Sequence, residues 1–212
     1  MAQIGIREVD AKKLMAKFLP QFSDNKVTAD ERVVLIHEGT DFDDLLSKNT
    51  WLRDTKLVMK PDELFGKRGK HGLVWVNKTF DEIRSIFQEH LNKEVVVSGI
   101  KGVLTHFLIE SFTPHKEEYY VSIVSEREVD VVQFSTFGGM EVEDLWDKMN
   151  TCVVRIDQSR GELDFVSFLG DIQNKDEIAL FIKALYKFYL ELNFVYLEIN
   201  RYTFVDSKVL PL

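Results

Sequence analysis

Three short stretches carry the residues whose types and spacing could do chemistry. The first is Gly66-Lys67-Arg68-Gly69-Lys70-His71-Gly72. Glycines let backbone N–H groups converge on an anion, and lysine or arginine supplies the charge, so such a loop suits a phosphate. It is not a Walker P-loop, because GxxxxGK[ST] is absent. Taken alone, the loop also reads as a solvated hairpin turn. The second candidate is Lys60, which ends the apolar run Leu57-Val58-Met59 and would hold its amine at the base of that loop. Taken alone, it also reads as a snorkelling surface lysine. The third is Tyr196-Leu197-Glu198-Ile199-Asn200. Residues two apart on a strand share a face, so Glu198 and Asn200 project together and Val195, Leu197 and Ile199 project the other way. A carboxylate beside an amide oxygen suits Mg²⁺, a hard cation that takes oxygen ligands. The same spacing also fits a polar strand face in water.

No hydrolase or zinc site stands out. The five histidines, His37, His71, His90, His106 and His115, are dispersed without metal spacing. Cys152 has no evident base and reads as a packed small thiol. The acidic run Glu141 to Asp147 reads as a solvated helix face.

The elements that must position these residues alternate. Residues 9–19 have helical periodicity, with Leu14, Phe18 and Val9 or Met15 near one face. Residues 31–39 form a strand-like apolar run, and 41–48 a short helix with carboxylates near its positive end. Residues 57–65 start as a strand, which Pro61 closes. After the glycine loop, 73–77 reads as a second strand, so the loop joins a hairpin-like pair. Residues 78–91 predict an amphipathic helix, opened by a Thr79–Glu82 capping box. A β-rich stretch follows, and its last part reads as two strands turning near Glu126 to Glu128. Residues 141–149 predict a helix, 176–192 a long helix with Ile178, Phe181, Ile182, Leu185, Tyr189 and Leu192 on one face, and 194–200 a strand. Helices and strands mix without regular βαβ units, which reads as α+β.

Bulk properties narrow the class. The 212 residues are 45% hydrophobic and 29% charged, an ordinary globular composition, and sixteen Phe give bulk to a core. A net charge of −8 disfavours a nucleic-acid partner, which needs a broad basic surface. It does not disfavour a small anion held by a local cationic loop. The most apolar stretch, 178–199, is interrupted by Lys183, Lys187 and Glu191, which argues against a membrane span. A single cysteine and a charged N-terminus without an apolar stretch point to the cytoplasm.

Taken in order, four stretches resemble one family: LVMKPDELFGKRGKHGLVWVN, FLIESFTPHKEEYYVSI, FGGMEVEDL and YLEIN. They are similar to the N-terminal ATP-grasp part of ATP-citrate lyase and to its relatives citryl-CoA synthetase and the β subunit of succinyl-CoA synthetase. IREVDAKKLMAKF matches the family's opening helix, and the likeness runs from about residue 6 to the C-terminus. KPD…KRGK…GLV and the HFLIE-F-PH stretch tilt it toward the lyase. The resemblance implies an ATP-grasp fold of two α+β lobes with the nucleotide between them. These would be 1–105, with the opening helix and phosphate loop, and 106–212, truncated before the end of the Mg²⁺ site. It implies that Lys60 meets the nucleotide phosphates and that Arg68 and Gly69 belong to a covering loop. Glu110 to Thr113 would be the hinge beside adenine, with Ser111 and Thr113 using backbone groups. Glu118 would bind the ribose hydroxyls, and Asn200 would hold Mg²⁺ with Glu198 nearby.

The sequence also departs from the family pattern. Arg201 stands where Pro usually follows the Asn of EIN, and Ser111 where lyases often carry Pro. A second Mg²⁺ ligand, an Asp one strand beyond EIN, has no clear counterpart; Asp206 falls in a turn. No histidine matches the family's phosphorylated one, which belongs to a companion subunit or region with a citrate-synthase-like domain. The resemblance thus implies the nucleotide-binding part of a hetero-oligomeric enzyme. That enzyme uses Mg·ATP, citrate and CoA to form acetyl-CoA and oxaloacetate through a phosphohistidine. The alternatives are a β subunit of another acyl-CoA ligase, or a nucleotide-binding or assembly lobe without turnover.

Overall fold

The computed structural model describes residues 4–64, 68–137, 149–157, 163–205 and 208–212. The chain divides into two compact units, one of Met1–Lys13 and Glu31–Pro114, the other of Leu14–Asp30 and His115–Leu212. The division falls within the first helix, α1 (Glu8–Phe22). Among the described residues no helix is long and apolar enough to cross a membrane. The helix expected over 141–149 and the turn around Asp206 fall almost wholly outside the described residues.

After the two-residue β1 (Thr28–Ala29), the first unit runs through β2 (Val33–His37), α2 (Phe42–Lys48), α3 (Trp51–Asp54), β3 (Leu57–Pro61), β4 (Trp75–Lys78) and α4 (Phe80–His90). The hairpin β5 (Glu94–Val97) and β6 (Ile100–Val103) and strand β7 (His106–Ser111) complete it. Four strands form an antiparallel sheet in the order β2-β7-β3-β4. The loop that holds the glycines therefore does join two paired strands. The second strand lies slightly later than its apolar residues suggest, because Leu73 is buried before pairing begins. Side-chain alternation sorts this sheet into two faces. Val34, Ile36, Leu57, Met59, Phe107 and Ile109 pack with Phe42, Ile83 and Phe87 of the helices. On the other face Val33 and Leu108 pack with Val9 of α1. Lys60 and Glu110 belong to this second face by parity: Lys60 pairs across from Leu108, and Glu110 from Val33 and Val58.

The second unit is a six-stranded sheet in the order β1-β12-β11-β8-β9-β10. Its members are β8 (Tyr119–Ser125), β9 (Val129–Ser135), β10 (Asn150–Arg155), β11 (Tyr196–Val205), β12 (Lys208–Pro211) and β1. Among the described residues only β1 and β12 pair in parallel. Against one face lie α5 (Phe165–Phe168) and the long α6 (Lys175–Glu191). Helix α6 buries a broader surface than a single predicted stripe, because Ala184, Tyr186 and Phe188 are buried as well. Helix α5 and residues of α1 join the same core: Phe165 stands 5.8 Å from Tyr186 between ring centres, and Met15 and Leu19 pack there too.

Strand β11 changes phase midway. Asn200 pairs with Tyr120 and Tyr202 with Tyr119, which leaves Arg201 as an extra residue in a β-bulge. Before the bulge the odd-numbered Leu197 and Ile199 join the core; after it the even-numbered Tyr202 and Phe204 do. One inserted residue exchanges the faces of everything beyond it.

Candidate functional site

The first unit gathers five charged side chains in one network, three of them buried and Glu8 and Arg68 half-buried. Lys60 donates to Glu8 at 2.7 Å and to Glu110 at 3.0 Å. Lys12 donates to Glu8 at 3.0 Å and also to Glu110. Arg68 donates to Glu8 at 2.5 Å and to the carbonyl oxygen of Pro61 at 2.7 Å. Lys60 is only 4% exposed, Lys12 5% and Glu110 9%. Desolvated charges persist only when they are paired, and here each one is. Burial alone would raise the Glu8 carboxyl, but Lys60, Lys12 and Arg68 together hold it well below the usual carboxylate range. Burial would likewise lower Lys12, yet Glu110 and Glu8 raise it above its ordinary value.

Local structure explains why these groups meet. Lys60 and Glu110 lie on adjacent antiparallel strands with the same facing. Lys12 lies on the buried stripe of α1, with Val9, Met15 and Leu19. Glu8 sits one turn before Lys12. The helix start is fixed by Asp62, whose carboxylate accepts from the backbone N–H of Glu8 at 2.8 Å and of Val9 at 3.2 Å. This satisfies donors that a helix end leaves unpaired. Glu63 ties the next segment down by accepting from the Thr105 hydroxyl at 2.7 Å and from the backbone N–H groups of Thr105 and His106. Gly69 opens a 3₁₀ turn, Gly69–His71, which Gly72 closes at φ 68°, a left-handed conformation that a side chain would disfavour.

Lys60, Arg68 and Glu110 are therefore brought together, with Glu110 acting through its side chain. Ser111 ends β7 opposite Leu57, and Thr113 follows two residues later. Gly66 and Lys67 lie outside the described residues.

The second unit holds Glu118, Glu198 and Asn200. Glu118 precedes β8 and accepts from His115 Nε2 at 2.9 Å and from Arg201 Nη1. Burial would raise its carboxyl, but Arg201 and His115 lower it below its ordinary value. Beside it a cavity of about 530 Å³ is lined by Lys116, Tyr119, Thr136, Phe137, Ile172 and Gln173. Glu198 and Asn200 share the exposed face of β11 and Ile199 is buried behind them, as the alternation predicts. The Tyr196 hydroxyl donates to Glu198 at 2.6 Å, and burial followed by this carboxylate raises the Tyr196 pKa. Glu198 and Asn200 offer hard oxygens on one surface, which fits Mg²⁺. Among the described residues no three His, Cys, Asp or Glu side chains gather as a metal site.

Sequence reasoning missed Glu8, Lys12, Asp62 and His115 as site partners. The signal for Lys12 was present: a lysine in helical phase with Val9, Met15 and Leu19 must be buried or must break the stripe. No local signal marks Asp62, which reaches 54 residues back along the chain.

A family model for the ATP-citrate synthase ATP-grasp domain matches residues 2–212. The ATP-citrate synthase alpha chain protein 1 of Arabidopsis thaliana is 40% identical over 214 residues, covering 100% of this chain and 50% of that relative. ATP-citrate synthase of Homo sapiens is 37% identical over 205 residues, covering 94% of this chain and 18% of that relative. Among solved structures, the ATP citrate lyase of Methanothrix soehngenii, in complex with citrate and coenzyme A, superposes with a TM-score of 0.88 at 39% identity. That match covers 100% of this chain and 50% of the other. The chain thus spans about half the length of the plant and archaeal relatives it matches.

Proposed function

The chain belongs to the family of ATP-citrate synthase ATP-grasp domains, and from that premise we propose that it holds ATP for phosphoryl transfer to a histidine on a companion subunit or region. The observation that carries this reading is the charge of the buried network. Lys12, Lys60 and Arg68 gather three cations at the base of a glycine-rich loop, held in place by Glu8 and Glu110 with the buried Asp62 beside them. Cations clustered in a partly desolvated place attract a polyanion more strongly than cations in water.

In this reading Lys60, Arg68 and Gly69 meet the phosphates, and Glu110, through Lys60, fixes where that ammonium points. Ser111 and Thr113 offer backbone groups to adenine. Glu118 accepts from the ribose hydroxyls. Asn200, with Glu198, would hold Mg²⁺, which neutralises phosphate charge when bound. Phosphoryl transfer asks little covalent chemistry of the protein; positioning and electrostatic stabilisation are the main contributions. The whole protein would then couple ATP, citrate and CoA to acetyl-CoA and oxaloacetate, with the phosphohistidine and the citrate and CoA sites outside this chain. The cytoplasm is the compartment that fits this chemistry.

Calorimetry of ATP binding to the 212-residue chain, with and without Mg²⁺, tests the reading directly. Lys60→Met keeps the aliphatic stem and removes the charge. It should weaken ATP at least tenfold, since a hydrogen bond to a charged group contributes about 1.5–3 kcal/mol. Unchanged affinity in a folded Lys60→Met chain would remove the phosphate site from this network.

A further inference from the structure

We propose that Arg201 is a positioning residue for Glu118, holding one carboxylate oxygen so that the other is presented to a ribose diol. The inference rests on the reading of Glu118 as the ribose acceptor. It goes beyond that reading by assigning a role to the residue at which this sequence departs from the resemblance.

Three observations carry it. The first is the bulge. Asn200 pairs with Tyr120 and Tyr202 with Tyr119, so Arg201 has no partner of its own on β8. A bulged residue is freed from the strand's alternation, and its side chain can be aimed where no regular strand position would send it. Here it reaches Glu118, the residue just before β8. The second is how the donors are shared. Arg201 Nη1 and His115 Nε2 both donate to Oε1 of Glu118. Among the described residues neither donates to Oε2. A carboxylate has about four acceptor positions, so one oxygen loaded with two donors leaves the second available. The third is location. Glu118 lines the cavity of about 530 Å³ with Thr136, Phe137 and Ile172 beside it, and its side chain is 25% exposed. A ligand with adjacent hydroxyls donates, and an ionised, oriented carboxylate oxygen accepts. An arginine on the far oxygen keeps the group ionised and supplies a planar donor that resists rotation. Asn200 immediately precedes Arg201, so the same bulge also sets the candidate Mg²⁺ ligand relative to the nucleoside contact.

The experiment compares the affinities for ATP and 2′-deoxy-ATP by calorimetry in the 212-residue chain and in Glu118→Gln, Arg201→Ala and Arg201→Lys. Circular dichroism and thermal melting establish that each variant is folded. A ligand-free ¹³C NMR titration of the Glu118 carboxyl accompanies each arginine variant. Glu118→Gln should abolish the preference for ATP. Arg201→Ala should cut it roughly fivefold to tenfold, the loss of one oriented charge-assisted contact. Arg201→Lys should recover part of it, and the Glu118 carboxyl should titrate higher in Arg201→Ala. If Glu118→Gln abolishes the preference and Arg201→Ala leaves it intact, the positioning role is overturned and the ribose reading stands. If Glu118→Gln leaves the preference unchanged, or the folded chain shows none, the ribose reading fails and takes the inference with it. A Glu118 titration unmoved by Arg201→Ala would overturn the contact itself.

Discussion

At the scale of single residues, the buried network in the first unit makes two claims that can be measured. Lys12 gives both Glu8 and Glu110 a partner, and its side chain is 6% exposed. Lys12→Met preserves the stem but leaves two carboxylates short of a cation. Breaking a buried pair in this way costs about 3–5 kcal/mol, and urea unfolding with hydrogen exchange of β3 and β7 should report a loss of that size. The acid side follows from linkage. Glu8 and Glu63 are held below their ordinary values, so each stabilises the fold at neutral pH and above an unfolded carboxylate value of about 4.3. That stabilisation is lost as pH falls through the folded values. Asp62 acts with the opposite sign, because burial raises it. Amide protection in β3 and β7 should decline below about pH 4, and Glu8→Gln should flatten the decline. The second claim concerns selectivity. Arg68→Ala should weaken ATP more than AMP, since its proposed contact is with the outer phosphates and a charge-assisted contact contributes about 1.5–3 kcal/mol. Equal losses for the two nucleotides would move Arg68 out of the phosphate site.

At the scale of elements, helix starts show how local and distant signals differ. Helix α4 is capped from within: Thr79 accepts from the Glu82 N–H, and Glu82 returns the contact to Thr79. The Thr79 backbone and hydroxyl bonds bring the Glu82 carboxyl down to about 2. Helix α1 is capped from outside, by Asp62 on the segment after β3. That contact also sets the phase of α1 over the sheet, and with it the positions of Glu8 and Lys12. Asp62→Ala should therefore destabilise the first unit by about 1–2 kcal/mol, as lost caps do, and also weaken ATP. Asp62→Asn keeps an acceptor oxygen and should recover much of both. Lost stability together with unchanged ATP affinity in Asp62→Ala would separate the cap from the site and refute the link.

At the scale of the whole molecule, the sequence falls into two units with separate hydrophobic cores. Each carries its own share of the proposed contacts: phosphates on the first, ribose and metal on the second. The chain spans about half of its plant and archaeal relatives. We expect the 212-residue chain alone to bind adenine nucleotide weakly. Mg²⁺ should change that affinity little, because its proposed anchors are only Asn200 and Glu198, and Mg²⁺ binds tightly where several oxygens complete an octahedron. We further expect no citrate- and CoA-dependent ATP hydrolysis by these 212 residues until a companion subunit or region is supplied. A coupled ADP-release assay with and without that component checks both. Citrate-dependent turnover by this chain alone would overturn the division of labour proposed above.

The sequence by itself determined whatever depends on local periodicity. The α4 capping box, the β3–β4 pair around the glycine loop, the turn at Glu126 to Glu128 and the facing of Glu198 and Asn200 were all legible, because each is written in residues a few positions apart. Helix α6 was legible in position and narrower than observed, since periodicity reveals one stripe and not how many neighbours cover a helix. Strand β10 and helix α5 were not read at all: Cys152, Val153 and Val154 run together in β10 without alternation, and α5 is only four residues long, too short for helical periodicity to emerge. The partners of the site residues were decided by tertiary structure. Lys60 meets Glu8, Asp62 caps α1 and Arg201 reaches Glu118 across separations of roughly fifty to eighty residues. Such contacts are made by strand register, helix phase and a single bulge acting together, and no local stretch of sequence contains that information.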